Sequence, residues 1–84
     1  MLEGLREASN KTVGMKQTLK AVQGGLALKV FLAGDIDDYI SQKIRHECQR
    51  HDIDIIMVDS MKELGEACGI SVGAATAAIL EVLD

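Results

Sequence analysis

Ala27-Leu28-Lys29-Val30-Phe31-Leu32-Ala33 is a nearly unbroken apolar run, with Gly24-Gly25 before it and Gly34 after it. Glycine-bounded runs of this kind are the pattern of a strand covered on both faces, and this one is expected at the centre of a sheet.

Working outward, Gly34-Asp35-Ile36-Asp37-Asp38 supplies acids for the first turn of a helix, where the macrodipole favours them. Ile40, Ile44 and Cys48 then recur every four residues, one buried stripe of a helix running to about Arg50. His51-Asp52 is a turn, and Ile53-Asp54-Ile55-Ile56-Met57-Val58 is the next strand. Ser60-Met61-Lys62-Glu63 reads as a capping box, opening a helix that carries Met61, Leu64 and Ala67 with Cys68 inward and stops at Gly69. Strand and helix units of this length, alternating, imply right-handed crossovers and a sheet with helices on both faces.

Toward the N-terminus, Val13-Gly14-Met15-Lys16-Gln17-Thr18-Leu19-Lys20-Ala21-Val22-Gln23-Gly24-Gly25 is an amphipathic helix framed by glycines. At about 100° per residue, Met15, Leu19 and Val22 share one side, and Lys16, Gln17 and Lys20 the other. The start of that helix also offers free backbone N–H groups to an anion. Thr12-Val13 is a brief extended segment before it, and Leu2, Leu5 and Ala8 mark a short first helix ending in Ser9-Asn10. Ala74-Ala75-Thr76-Ala77-Ala78-Ile79-Leu80-Glu81-Val82-Leu83 is ambiguous, since its alanine content favours a helix.

With 84 residues the chain is expected to form a single domain across 1–84. One Tyr, one Phe and no Trp describe a core of Ile, Leu, Val, Met and Ala, which suits helices layered on a sheet. No apolar run has the length of a signal peptide or a membrane span, so a soluble, cytoplasmic protein is expected. Cys48 and Cys68 lie in regular apolar patterns and are expected as free buried thiols.

The net charge of -4 taken whole argues against nucleic-acid binding, because phosphate neutralisation is the largest generic term in that affinity. Its distribution reverses the inference. Residues 1–29 carry five basic against two acidic side chains, whereas residues 30–84 carry four against eleven, so the positive charge gathers around the Gly14 helix.

Little else carries chemistry. Asp35, Asp37 and Asp38 lack the further ligands of a calcium loop and read as helix N-terminal acids. His46 and His51 are five apart, which splays them around a helix, and no metal site is expected. Gly65, Gly69 and Gly73 are not followed by the lysine and hydroxyl of a phosphate-binding loop. No nucleophile stands with a base, so neither an enzyme nor a cofactor is expected. Gly69-Ile70-Ser71-Val72-Gly73 places two β-branched apolar residues in a glycine-framed loop, either folded back onto the core or presented to a partner.

Leu64-Gly65-Glu66-Ala67-Cys68-Gly69, followed by Ile70-Ser71-Val72-Gly73-Ala74-Ala75, resembles the signature and apolar loop of the kink-turn-binding ribosomal proteins, the family of archaeal L-seven-Ae and eukaryotic L-thirty-e. The order of elements resembles that family along the whole chain, and the short length is similar to its small bacterial members. The resemblance implies an α/β fold, a three-layer α/β/α sandwich with a four-stranded mixed sheet, in which residues 74–80 form a strand. It also implies that the start of the Gly14 helix lies beside the loop before that strand. Its partner would be RNA containing a kink-turn, a bend with a three-nucleotide bulge beside tandem sheared G·A pairs, with the ribosome as one setting and a monomer as the binding form.

Carried across, the family's glycine, alanine, asparagine, glutamate, x, x, lysine run falls on Gly14, Met15, Lys16, Gln17 and Lys20. Lys16 stands where asparagine would be and Gln17 where glutamate would be. Lysine donates to guanine O6 and N7, and glutamine donates or accepts, so guanine recognition is retained in outline. On this resemblance Lys11 and Lys29 are expected near phosphates, and Ile70, Ser71 and Val72 over the extruded nucleotides. Excess acid is expected on the far side of the molecule. The alternative is an acidic protein-interaction module on the same fold, with Asp35, Asp37, Asp38, Asp52 and Asp54 as its footprint.

Overall fold

The computed structural model describes residues 10–81. The first helix expected over Leu2–Ala8 lies outside them. Four strands, β1 (Lys11–Val13), β2 (Ala27–Ala33), β3 (Ile55–Val58) and β4 (Thr76–Leu80), alternate with three helices, α1 (Met15–Gln23), α2 (Asp38–Arg50) and α3 (Met61–Ala67). The sheet order is β1-β4-β2-β3, with β2 and β3 parallel and β4 antiparallel to both β1 and β2. β1, β2 and β3 therefore run the same way, and the helices that follow them all start at one end of the sheet.

Alternation along β2 divides the core. Val30 and Leu32 join Val22 of α1 with Ile44 and Cys48 of α2 on one face, while Phe31 and Ala33 join Leu64, Ala67 and Cys68 of α3 on the other. This is the expected three-layer sandwich, and β2 is central as expected. Its cover begins only at Val30, however: Leu28 is 55% exposed and Lys29 is also exposed. A register shift between Ala27 and Lys29, opposite Leu80 and Ile79, interrupts the ladder there.

Two residues past its end, each helix is closed by a residue with positive φ, at Gly25, Asp52 and Gly69. Behind these residues the N–H groups of Leu26, Ile53 and Ile70 bond back to the carbonyls of Ala21, Cys48 and Gly65 at 2.8 to 3.1 Å. The closure after α2 carries Ile53 into the α1/α2 core, so β3 begins at Ile55 rather than at Ile53. β4 begins at Thr76, two residues later than expected, because Ala74 N–H turns to the Met61 carbonyl instead of a strand. The capping-box bond from Glu63 N–H to Ser60 Oγ forms at 3.1 Å, the return bond from Ser60 N–H to the Glu63 carboxylate is not made among the described residues, and Met61 N–H donates to Asp35 Oδ1 at 2.8 Å. Cys48 and Cys68 are free and buried on opposite faces of the sheet.

Candidate nucleic-acid interface

Gly14 turns the chain from β1 into α1 with φ 96° and ψ 161°, a conformation essentially reserved for glycine. Its N–H donates to the Thr76 carbonyl at 2.8 Å, which ties the start of α1 to the start of β4. Below this junction the Thr12 and Thr18 hydroxyls bond at 2.9 Å, with Thr18 fully buried, and the buried Thr76 hydroxyl donates to the Phe31 carbonyl at 2.6 Å. These threonines were not singled out by the sequence pattern, in which Thr18 stands next to the polar Gln17 and is unremarkable.

The helix start itself is open. α2 is capped by Asp37, which accepts from Tyr39 N–H at 2.8 Å, and α3 by Ser60 and Asp35. α1 has no side-chain cap and no acid in its first turn. Its first intrahelical bond is Thr18 N–H to the Gly14 carbonyl, so the N–H groups of Met15, Lys16 and Gln17 have no acceptor among the described residues. Lys16, Gln17 and Lys20 are exposed around that end, whereas Met15 packs against the α1/α2 core. Gln17 and Lys20 also flank an open groove of about 290 Å³, floored by Thr12, Ala21, Leu26 and Leu80.

The loop before β4 divides the apolar pair. Val72 is 68% exposed and Ser71 is exposed, but Ile70 packs on the α3 side of the core. The cause is the helix closure at Gly69, which aims the next residue back over the helix it has just left. Ile70 is therefore half-buried under the loop, and Val72 is the more exposed of the apolar pair.

The two outlying lysines do not join this cluster. Lys11 and Lys29 both stand opposite Ile79 in the sheet register, on the face that carries α3, and α1 lies on the other face. The acids depart from expectation as well. Asp35, Asp37, Asp38 and Asp59 follow the ends of β2 and β3, which is the end of the sheet where Gly14 sits, so they border the interface instead of lying opposite it. Asp52 and Asp54 precede β3 at the other end, and the acids of the alternative footprint do not form one surface.

Burial raises both thiols above their ordinary pKa of 9.0. At Cys48 the Glu47 carboxylate adds to the effect, and at Cys68 the Lys11 ammonium partly offsets it. Inert structural thiols are the consequence.

Comparison with known proteins places this arrangement. The chain belongs to the ribosomal protein L7Ae/L30e/S12e/Gadd45 family, whose profile it matches over residues 2–84. It is 48% identical to an RNA-binding protein of Caldanaerobacter subterraneus over 68 residues, covering 81% of this chain and 83% of that one. It is 41% identical to the RNA-binding protein YbxF of Geobacillus stearothermophilus over 78 residues, covering 93% and 95%. Among solved structures, the Giardia lamblia 15.5kD RNA binding protein superposes with TM-score 0.85 at 26% identity, covering 96% of this chain and 68% of that one. These are binding proteins rather than enzymes, as the sequence reading expected.

Proposed function

We propose that this chain binds RNA and that the feature it recognises is a kink-turn. The carrying observation is the junction at Gly14, where one hydrogen bond holds an uncapped, cation-bearing helix start against the strand entered from the Val72 loop. Membership of the family and the names of the relatives support an RNA partner.

A-form RNA hides its major-groove edges, so a blunt helix end reaches guanine O6 and N7 only where the duplex is already bent or bulged. In this reading Lys16 and Gln17 contact the exposed guanine edges, Lys20 a neighbouring phosphate, and Val72 with Ser71 an extruded base or sugar. Gly14 and Met15 act from behind, the first by setting the helix entry and the second by packing. Lys11 and Lys29 are left for a strand that reaches the α3 face. The acids beside the interface repel any RNA lying flat across this end of the sheet, which favours a compact bent target over an extended duplex.

The protein acts as a monomeric single domain in the cytoplasm, with ribosomal RNA as one host of the motif. No helix among the described residues is long and apolar enough to cross a membrane. A gel shift with a kink-turn RNA, and with the same RNA whose sheared G·A pairs are made Watson–Crick, tests the reading. Strong retention of the first and weak retention of the second is expected; equal retention overturns it.

A further inference from the structure

The cationic surface does not stop at α1. On α2, Tyr39, Lys43, His46 and Arg50 follow one another at intervals of four, three and four residues, which places them along one flank over about 16 Å of helix. All four are exposed, Tyr39 by 71%. The opposite flank holds Arg45, whose Nη2 lies 3.2 Å from Met57 Sδ on the edge strand β3. The Tyr39 flank therefore faces away from β3 and toward α1, which packs beside α2 through Met15, Leu19 and Val22 against Ile40, Ile44 and Cys48. Lys16, one residue after Met15, is exposed on the outer face of α1 beside that contact.

Acids are scarce along this seam. α1 has none. On α2, Asp38 projects on the Arg45 flank, and Glu47 is buried with Arg50 Nη1 at 3.2 Å from its Oε1. The exposed cations along the seam are Lys16, Lys43 and Arg50. Asp35 and Asp37 stand at the Tyr39 end of the seam, but along the rest of it no exposed acid of α1 or α2 faces these cations, and charge complementarity there selects a polyanion as the occupant.

We propose that the seam between α1 and α2, bordered by Lys16 on one side and by Tyr39, Lys43, His46 and Arg50 on the other, is a track for an RNA arm continuing beyond the kink. This rests on the reading that the start of α1 holds the kinked RNA. The cations neutralise successive phosphates without reading sequence, and Tyr39, at the end of α2 nearest the start of α1, stacks on an unpaired base or a sugar. An arm held this way adds affinity only if it is long enough to lie on α2.

Fluorescence anisotropy with two kink-turn RNAs tests it, one with minimal stems and one with a stem extended by a further helical turn. Wild type is compared with Lys43→Gln, Tyr39→Ala and, on the outer face of α3, Lys62→Gln. Lys43 is exposed and makes no hydrogen bond or ion pair among the described residues, so the fold tolerates its loss; an unchanged circular dichroism melt checks this. The extended RNA should bind wild type several-fold more tightly. Lys43→Gln should remove about threefold or more of that gain and lower the log–log salt slope by about one, leaving the minimal RNA unaffected. Tyr39→Ala should act on the extended RNA alone.

Equal wild-type binding of the two RNAs, or equal effects of Lys43→Gln and Lys62→Gln, overturns the track. If the minimal RNA and its Watson–Crick version bind alike, the kink-turn reading falls, and the arm-length comparison still decides the seam.

Discussion

Gly65 of α3 lies directly against the carbonyl oxygen of Val72: a Cβ at Gly65 would overlap that oxygen and stand 3.1 Å from the Gly73 Cα. On the other side of the loop a Cβ at Gly73 would meet Met61 Cβ at 3.0 Å. The segment that presents Val72 is thus seated on the backbone of α3, and its height above the sheet is set by the absence of one methyl group. Gly65→Ala must push the loop outward. Overpacking of this kind costs about 1 to 3 kcal/mol, measurable as a lower urea midpoint. Kink-turn affinity should fall with it, and a variant that stays folded and retains full affinity would show that the position of Val72 is irrelevant to binding.

Gly14 differs in kind. A Cβ there would meet nothing within 4 Å, so Gly14→Ala has no clash to relieve. Its cost is the backbone conformation itself, φ 96°, which non-glycine residues reach at about 1 to 3 kcal/mol. Either the chain bears that cost or the bond from Gly14 N–H to the Thr76 carbonyl breaks. Denaturant unfolding should show the loss of stability, and amide exchange at residue 14 should accelerate if the bond is released.

Asp35→Ala tests a long-range cap. Asp35 is the acceptor for Met61 N–H at 2.8 Å, across 26 residues of sequence. Its removal leaves a first-turn donor of α3 to water, and a loss of about 0.5 to 2 kcal/mol in thermal unfolding is expected. Asp38→Ala, which removes an acid that caps no helix N–H among the described residues, should lose less.

Lys16→Ala addresses recognition. The side chain is exposed and outside the core, so stability should hold within about 0.5 kcal/mol while kink-turn affinity drops by about 1 to 3 kcal/mol. Discrimination against the Watson–Crick RNA should narrow together with affinity. A loss equal on both RNAs would make Lys16 a phosphate contact only.

What the sequence made legible, and what it did not, follows from the range of the forces involved. The end of α2 at Arg50, the cap at Ser60 and the stop at Gly69 depend on neighbours within a turn, and the structure has them where local pattern puts them. The β4 strand is the opposite case. Ala77 and Ala78 favour helix by propensity, yet they are fully buried between β1 and β2, where small side chains let helices approach both faces of the sheet. Only resemblance to a known family indicated that strand. The lysine and glutamine at the start of α1 were legible as an outward face, but the inward turn of Ile70, the acids bordering the interface and the Gly65–Val72 contact arise from chain segments meeting in three dimensions, which no periodicity reports.

The two thiols give the pH dependence. Burial first, with Glu47 adding to it at Cys48 and Lys11 subtracting at Cys68, raises both above the ordinary value of 9.0. Below pH 9 the thiols are protonated in the folded and unfolded chains alike, and their contribution to stability is complete. As pH rises past 9 the unfolded chain releases its protons while the folded chain still holds them, so unfolding is drawn forward and stability falls until the native thiols titrate in turn. Unfolding free energy measured from pH 7 to pH 10.5 should therefore decline on the alkaline side. Cys48→Ala, although less stable throughout because of the cavity, should decline less steeply than wild type. In parallel, a disulfide-exchange reagent at pH 8 should leave both cysteines untouched in the native protein and modify both once urea unfolds it. Rapid native modification of Cys68 would mean that the α3 layer opens locally at low cost.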